Sequence, residues 1–372
     1  MEQKRIKVLH TEWSDAWGGQ EIRIISEMLA IREQGVEVFL ACRINSIIHK
    51  KALEKKIKVF TLPFKGNTDF LTIVKLIAII KKNNINIVNT HSGKDTWVGG
   101  LSAKLARVNF IRTRHLSQPI NPSRLNFINE LADFVFTTGE SVRQDMIQFN
   151  RIKPNKILSI PTGVDPEVFN PALFDKGICR QQLNIANDEI AIGIIAVLRD
   201  SKRHDIFLDI ALNLKNKYPK KKFKFFIVGE GPMRGSIESY IKKLGLNSDV
   251  VMLGHIENIP KILKALNIFL FTADRREGVP QSVMQALLMN TPTVSSNDGS
   301  TNDLHHENNF LISEPSFKEL YINVEKMLIS IENQDSLSET REYIMDNFGK
   351  DAATNKILRV YNGLINEPSN KK

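Results

Sequence analysis

The stretch that decides the fold is Asp274–Ser295, DRREGVPQSVMQALLMNTPTVS. The apolar run before it, residues 267–271 (NIFLF), predicts a buried strand. Glu277 and Gly278 then form a loop, and Pro280 suits the first turn of the apolar helix that follows. This order places polar residues at the carboxyl end of a strand, where open α/β sheets bind ligands. The stretch therefore predicts a parallel sheet with a ligand site after residue 271.

The same residues also fit an ordinary helix start. Ser282 and Gln285 have the spacing of a capping box, with serine as the N-cap and glutamine at the third helical position. In the functional interpretation, the free amides of the loop, at Gly278 and Val279, face an anionic ligand. The stretch alone leaves both interpretations open.

Strand and helix patterns alternate along the whole chain, which predicts parallel sheets. Strands are expected near residues 6–10, 36–41, 57–62, 85–89, 109–114, 133–137, 156–160, 190–197, 222–228, 249–253, 267–271 and 292–295. Helices are expected near residues 20–33, 70–82, 95–107, 122–132, 140–149, 316–332 and 350–365. Three prolines and a glycine interrupt the pattern within residues 161–171. We therefore predict two doubly wound α/β domains, 1–165 and 166–350, followed by a helix and a short tail at 351–372.

Composition restricts the class of protein. The 372 residues carry 51 Lys and Arg against 41 Asp and Glu, a net charge of +10, which predicts an anionic partner. Cys42 and Cys179 lie far apart and match neither a metal pattern nor a disulfide framework, which favours the reducing cytoplasm. The sequence has no apolar signal core and no run of 18 apolar residues, so we expect a cytoplasmic chain that does not span a membrane.

A Gly-Gly turn follows the first predicted strand. Gly18 and Gly19 open a helix, and the amides of a helix start are a common site for phosphate. A flexible turn is the alternative interpretation.

A basic loop follows the first strand of the second half. Arg199, Lys202, Arg203 and His204 lie together there, and such charge suits a diphosphate. A solvated surface loop is the alternative interpretation.

Polar side chains end three further strands. His115 follows residues 109–114, and His255 follows Leu253-Gly254. A third cluster follows residues 85–89 and contains His91, Ser92 and Lys94. Ordinary polar strand ends are the alternative interpretation. Because neighbouring strand ends open into one cleft, we expect His115 and the third cluster to share a site.

Together and in this order, these motifs resemble those of retaining glycosyltransferases with two facing Rossmann-like domains, the GT-B fold of family 4 type, in the branch that builds bacterial polysaccharide or lipopolysaccharide. Glu277 and Gln285 match the two acidic positions of the family's E-x7-E signature, the second with glutamine. Lys202 matches the family lysine. Val197 stands at the family's arginine, with Arg199 two residues later, and Arg203 stands at the family's glycine.

The resemblance implies transfer of a sugar, of the hexosyl type, from a nucleotide-diphospho-sugar to a glycan or lipid-linked acceptor with retention of anomeric configuration. It implies a C-terminal helix that crosses back to the first domain, and no metal or other cofactor. The implied catalytic residues are Glu277, Lys202, Arg199 and His115. The implied donor-binding residues are Gly18, Gly19, Gly278, Val279, Gln285 and His255. The implied acceptor-side residues are His91, Ser92 and Lys94.

Other functions remain to be weighed against transfer. Gln285 and Arg203 depart from the family pattern and favour a catalytically reduced nucleotide-sugar-binding protein, and a sugar-nucleotide epimerase shares the fold. A glycoside hydrolase needs two carboxylates at the bond, and Gln285 removes the obvious pair. A nucleic-acid binder would need a stacking or groove-reading module, which the sequence does not show.

A basic and apolar segment occupies residues 49–82. Ten of its side chains are lysine or histidine, and the helix pattern at 70–82 is strongly apolar. A core helix with a rim of lysines explains it simply. Docking on the inner, anionic face of the cell membrane is the functional interpretation, because lysine is attracted to anionic lipid.

Overall fold

The computed structural model describes residues 5–115, 120, 124–274, 278–306, 310–332 and 338–366. The chain divides into two compact units. The first contains the chain up to Gly163 and from Asp351 onward, and the second is Val164–Lys350. The sequence predicted the domain boundaries after residues 165 and 350.

The first unit is built on a seven-stranded parallel sheet. Its strands are β1 (Lys7–Glu12), β2 (Glu37–Cys42), β3 (Lys58–Thr61), β4 (Ile87–Thr90), β5 (Asn109–Arg114), β6 (Phe134–Thr137) and β7 (Ile157–Ser159), in the spatial order β3-β2-β1-β4-β5-β6-β7. The helices between them are α1 (Gly19–Glu33), α2 (Ile47–Glu54), α3 (Phe70–Asn83), α4 (Gly93–Ala106) and α5 (Glu140–Asn150). Both faces of the sheet are covered by apolar side chains, as expected of parallel strands with continuous apolar runs.

The second unit is built on a six-stranded parallel sheet. Its strands are β8 (Glu189–Ile195), β9 (Lys222–Val228), β10 (Val250–Gly254), β11 (Ile268–Phe271), β12 (Thr293–Ser296) and β13 (Leu311–Ser313), in the order β10-β9-β8-β11-β12-β13. Its helices are α6 (Lys176–Gln182), α7 (His204–Lys217), α8 (Arg234–Lys243), α9 (Ile259–Ala265), α10 (Gln281–Leu288), α11 (Phe317–Glu332) and α12 (Ser338–Phe348).

The last helix, α13 (Lys350–Asn366), packs on the first unit. Tyr361 is fully buried there, with its ring centroid 6.4 Å from that of Phe136. The Asn109 side-chain amide donates to the carbonyl of Leu364 at 3.0 Å. The predicted fold class, two doubly wound α/β domains with a C-terminal helix on the first, is confirmed.

The structure corrects several local predictions. The helix predicted at residues 122–132 is a 3₁₀ turn at Arg124–Asn129. The sequence patterns missed α2, α6, α12 and β13. Three of them, α2, α6 and β13, have eight residues or fewer, and α2 buries only Ile48 and Ala52, so its apolar periodicity is too weak to be read from the sequence.

Each sheet has one topological switch point, where the strand order reverses. In the first sheet this point lies between β1 and β4, and in the second it lies between β8 and β11. Connections leave such neighbouring strands in opposite directions, so a crevice opens at their carboxyl ends. Apart from Gln285, which lies in the second turn of α10, the predicted site residues that the structure describes lie between the carboxyl end of a strand and the first turn of the next helix.

Candidate active site

The basic loop lies at the switch point of the second sheet, directly after β8. Leu198 is buried, whereas Val197 and Arg199 on either side of it are exposed. Val197 and Arg199 thus lie on the same exposed side of the loop. Arg199 is therefore on the side where the family has its arginine, at the position of Val197.

Two glycines after β9 hold this loop in place. Gly229 has φ +138°, and a Cβ there would lie 2.0 Å from the Ala196 carbonyl oxygen. A Cβ at Gly231 would lie 2.5 Å from the carbonyl oxygen of Leu198. The Leu198 amide donates to the Glu230 carbonyl at 3.0 Å. The turn at residues 228–232 is therefore a close connection that fixes the start of the basic loop.

Arg203 fixes the end of the loop. Its φ of +47° lies in the left-handed region, which explains why the family has glycine there. The Arg203 guanidinium forms ion pairs of 2.7 Å to Asp205 and 2.7 Å to Asp274, and these offset the cost of the left-handed backbone. These carboxylates raise the pKa of Arg203 above its ordinary value through hydrogen bonds. The departure from glycine thus joins the basic loop to the segment after β11.

Further contacts between the two segments surround Lys202. Its ammonium nitrogen lies 5.2 Å from the centre of the Phe271 ring. The Thr272 hydroxyl donates to the carbonyl of Lys202 at 2.8 Å, and the Asp274 amide donates to the carbonyl of Ser201 at 3.1 Å. Arg199, Lys202 and the start of the stretch 274–295 therefore share one edge of the second sheet.

Within that stretch, Glu277 lies outside the described residues. Gly278 is half-buried, and Val279 is buried in the core of the second unit. Helix α10 begins at Gln281 with Pro280 as its N-cap and no side-chain cap, so the capping-box interpretation of Ser282 and Gln285 is wrong. Gln285 is half-buried in the second turn of α10.

His255 is exposed at the end of β10, two strands from the switch point. It follows Gly254, which has a φ of +69°. The Gly254 carbonyl accepts a hydrogen bond of 2.8 Å from the Gly229 amide. The two adjacent strand ends of β9 and β10 are therefore tied together next to the basic loop.

In the first unit, the Gly-Gly turn starts α1. Gly18 is the N-cap, and its amide donates to the Glu21 carboxylate at 2.9 Å. Gly19 is exposed, with open space where a Cβ would be. The helix start therefore opens toward solvent, as a phosphate site requires.

The Glu12 side chain holds this loop by hydrogen bonds from its buried side. The buried carboxylate accepts the Ser14 amide at 2.8 Å and the Gln20 side-chain amide at 2.5 Å. Burial, with the nearby charge of Asp95, raises the pKa of Glu12 to about 7. A carboxyl group that titrates near neutral pH thus ends β1.

Three histidines meet at the switch point of the first sheet. His10 Nδ1 lies 2.9 Å from His91 Nε2, and His91 Nδ1 lies 2.9 Å from His115 Nε2. His10 and His91 are buried, and His115 is half-buried. The structure thus brings together the predicted His91 and His115, and adds His10 from inside β1.

Burial is the first cause of the low pKa of these imidazoles. It lowers the pKa of His10 to about 3. The pKa values of His91 and His115 also lie well below the ordinary value, because of burial and then of neighbouring positive groups that include Arg112 and Arg23. All three rings are therefore neutral at neutral pH.

The other acceptor-side residues have defined contacts. Ser92 and Asp95 form a capping box at the start of α4, in which the Ser92 hydroxyl donates to Asp95. The same carboxylate accepts the Thr11 hydroxyl and the His91 amide, each at 2.8 Å. The Lys94 ammonium lies 4.0 Å from the centre of the Trp13 ring. Ser92 and His91 thus support the site, while half-buried Lys94 lies beside the β1 loop.

Sequence reasoning missed His10, Glu12 and Asp95 as site residues. Asp95 follows Ser92 by three residues, a capping-box spacing that would have assigned its role. His10 ended the predicted first strand, so the rule that strand ends bind ligands would have found it. Among the described residues, no cluster of three or more His, Cys, Asp or Glu side chains could hold a metal ion.

Two protein families match the chain, one mainly over each unit. Residues 17–168 match the family Glycosyltransferase Family 4, and residues 175–343 match the family Glycosyl transferases group 1. The chain is 24% identical to the putative glycosyltransferase EpsF of Bacillus subtilis over 80% of each chain. It is 23% identical, over 81% of each chain, to an Escherichia coli enzyme named UDP-Gal:alpha-D-GlcNAc-diphosphoundecaprenol alpha-1,3-galactosyltransferase.

The fold is that of a solved structure, Anabaena HepE in complex with UDP. The TM-score is 0.82 at 18% identity, covering 96% of this chain and all of that one (100%). The Gly-Gly turn lies in the first matched region and the basic loop in the second.

Proposed function

We propose that this chain, a glycosyltransferase of the GT-B type, transfers a sugar from a nucleotide-diphospho-sugar to a glycan or lipid-linked acceptor with retention of anomeric configuration. The proposal rests on the arrangement of side chains at the switch point of the second sheet. There a cationic loop bearing Arg199 and Lys202 is fastened to the segment after β11 by Arg203 and Thr272. A diphosphate leaving group gains negative charge as the sugar departs, and fixed cations stabilise it.

Each donor-side residue has a role of defined chemistry. Arg199 and Lys202 neutralise the diphosphate, and the amides at Gly278 and Val279 add donors at the start of α10. Glu277, the residue before Gly278, accepts hydrogen bonds from hydroxyl groups of the donor sugar. Gln285 faces the ribose, where its amide offers one acceptor and one donor group. His255 lies beside the base.

The first unit supplies a helix start, a neutral imidazole and one lysine. Gly18 and Gly19 form the helix start at the diphosphate, where the Gly18 amide donates to Glu21 and the Gly19 amide faces the ligand. His115 contacts the donor sugar as a neutral imidazole. Lys94 reaches the acceptor. Because cations and backbone amides balance the diphosphate charge, the proposed reaction needs no metal ion.

The relatives support the choice of donor and acceptor. HepE binds UDP, and the E. coli relative is named for UDP-galactose and a diphosphoundecaprenol-linked acceptor. We therefore favour a uridine diphosphate sugar and an acceptor on a lipid carrier, in the synthesis of a bacterial surface glycan at the cytoplasmic face of the membrane.

The test starts with thermal shift against UDP-, GDP-, ADP- and CMP-sugars. A ligand at one hundred times its dissociation constant adds about 2.7 kcal/mol of stability. The stabilising sugar is then offered with lipid-linked acceptors, and NMR of the product reads the anomeric configuration. Inversion at the anomeric carbon contradicts retention, and binding without transfer to any acceptor favours the binding-only alternative. Glu277→Ala should lower transfer by two to three orders of magnitude, about 3–4 kcal/mol.

A surface of α3 supports membrane docking. The buried face of this helix carries Ile73, Leu76 and Ile80, so the helix does contribute to the core. Its other side exposes Phe70 (78%), Leu71 (56%) and Val74 (57%), next to the exposed Lys75. No helix in the described ranges is long and apolar enough to cross a membrane. Apolar side chains beside lysine suit the boundary of an anionic leaflet.

A further inference from the structure

The histidine chain runs from the interior of the first sheet to its carboxyl edge. His10 lies in the middle of β1, His91 follows β4 and His115 follows β5. Since each link uses the nearer nitrogen of both rings, only the two outermost nitrogens remain for other contacts. These are His10 Nε2 on the buried end and His115 Nδ1 on the half-buried end.

Burial keeps the rings neutral, and the charged groups around His91 and His115 add to its effect. On α1, Arg23 and Glu27 form a buried ion pair of 3.9 Å. On β5, Arg112 is buried and Arg114 is half-buried, and both carry positive charge toward His115. Asp95 of α4 partly offsets the charge of Arg112. A proton added to His91 or His115 would lie near these guanidinium groups, so the neutral form of both rings is favoured.

Neutral rings impose an order on their protons. A neutral imidazole has one N–H donor and one acceptor nitrogen, so each 2.9 Å link needs one of each. The protons of all three rings therefore lie either on Nδ1 or on Nε2. Within the described part of the chain, buried His10 Nε2 has no hydrogen-bond partner. The second arrangement would leave an unpaired N–H there, which proteins avoid more strictly than an unpaired acceptor.

We propose that His10 is a positioning residue that fixes the tautomer of His115. With its own proton on Nδ1, His10 donates to His91, His91 donates to His115, and His115 is left with an N–H at Nδ1. The ring then acts as a hydrogen-bond donor toward its ligand. This inference rests on the proposed function, in which that ligand is a hydroxyl oxygen of the donor sugar.

The tautomers are directly measurable in the full chain without ligand. Selective ¹⁵N labelling of the 8 histidines and long-range ¹H–¹⁵N correlation spectra distinguish Nδ1–H from Nε2–H. Single His→Phe variants assign the signals. We expect Nδ1–H at His10, His91 and His115 at neutral pH. An Nε2–H tautomer at His91 or His115 overturns the proposal, whatever the variants do.

A pair of variants tests the role of His10. His10→Phe keeps a ring in the interior but removes both nitrogens, so His91 and His115 should lose the uniform Nδ1–H pattern. Transfer should fall about tenfold in kcat/KM, the usual weight of one buried hydrogen bond. His10→Asn places an amide near the position of Nδ1 and should restore both the tautomer and the rate. If His10 has only a structural role, His10→Phe should lower the melting temperature and leave the tautomer of His115 and the rate unchanged. That result would also overturn the proposal.

The two hypotheses fail in different ways. If the wild-type spectra show Nδ1–H throughout and no nucleotide-sugar binds, the proposed function fails while the role of His10 in the tautomer stands. If the donor binds and its sugar is transferred but His10→Phe changes neither the tautomer nor the rate, the proposed function stands and the role of His10 fails.

Discussion

The switch point of the first sheet and that of the second sheet hold opposite kinds of side chain. In the first, neutral imidazoles lie buried in a hydrogen-bonded chain. In the second, Arg199 is exposed and Lys202 half-buried on a loop that ion pairs hold at its end. Burying a cation is costly unless a carboxylate is near it, as Glu27 is to Arg23 and Asp95 is to Arg112, whereas a neutral ring with a partner for its N–H needs no such charge. The same topology therefore gives the first unit buried, neutral imidazoles at its switch point and the second unit an accessible cationic loop.

The largest test of this difference removes a cation from the second unit. Lys202→Ala should lower transfer by two to three orders of magnitude, about 3–4 kcal/mol, because the lysine stabilises charge that develops in the transition state. Steady-state kinetics with the identified donor measures it. Lys242→Ala, at an exposed lysine in the last turn of α8, is the matched control and should leave the rate unchanged. Normal kinetics in a folded Lys202→Ala protein removes this residue from the site.

The second test asks whether only the first unit docks on lipid. Replacing Phe70, Leu71 and Val74 together with serine should weaken sedimentation with anionic vesicles by about a hundredfold, since apolar side chains lose their place in the leaflet. Donor binding should be unchanged. The control replaces Val168, Leu173 and Ile178, equally exposed apolar residues of the second unit, and should have no effect. Failure of the wild-type protein to bind such vesicles at low salt contradicts docking.

The third test uses pH to show that His10 is neutral in the folded protein. The folded pKa of His10, about 3, lies below its ordinary value of 6.5. Between these values the unfolded chain binds the proton and the folded chain does not, so acidification lowers the free energy of unfolding by about 1.4 kcal/mol per pH unit. Glu12, with a raised pKa of about 7, acts in the opposite direction between its ordinary value and pH 7. The contribution of His10 must therefore be isolated by substitution.

Urea unfolding of wild type and His10→Phe at about pH 7.5 and 5.5 isolates this contribution. The variant should lose about 1.4 kcal/mol less than wild type between the two conditions. The difference at the higher pH measures the cost of the substitution apart from proton uptake, which combines repacking of the ring with loss of the hydrogen bond to His91. Equal losses in both proteins would mean that His10 takes up its proton in the folded state.

The smallest test concerns the altered family position on α10. Gln285→Glu should tighten donor binding about threefold to tenfold, because a carboxylate accepts from both ribose hydroxyls where the amide has one acceptor oxygen. Isothermal titration with the donor measures it. Gln281→Glu adds the same charge at an exposed position of α10 and serves as the control. Equal affinities for wild type and Gln285→Glu would place residue 285 away from the ribose.

Much of the fold was readable from the sequence. The apolar runs predicted twelve of the strands because parallel strands buried on both faces leave a strong local signal. The helix start at Gly18 and the basic loop after β8 followed from residues adjacent in the chain. The helix predicted at 122–132 failed because an apolar pattern alone does not distinguish an α-helix from a 3₁₀ turn.

The sequence by itself determined the two-domain class, the strand ends that carry polar residues, and the departure from the family at Gln285. Only the tertiary structure joined His10 to His91, 81 residues away, and Arg203 to Asp274, 71 residues away. It also showed that Arg203 is in the left-handed region and that Ser282 does not cap α10. The physical reason is that local patterns specify which face of a strand is buried, whereas the order of strands in the sheet decides which strand ends become neighbours.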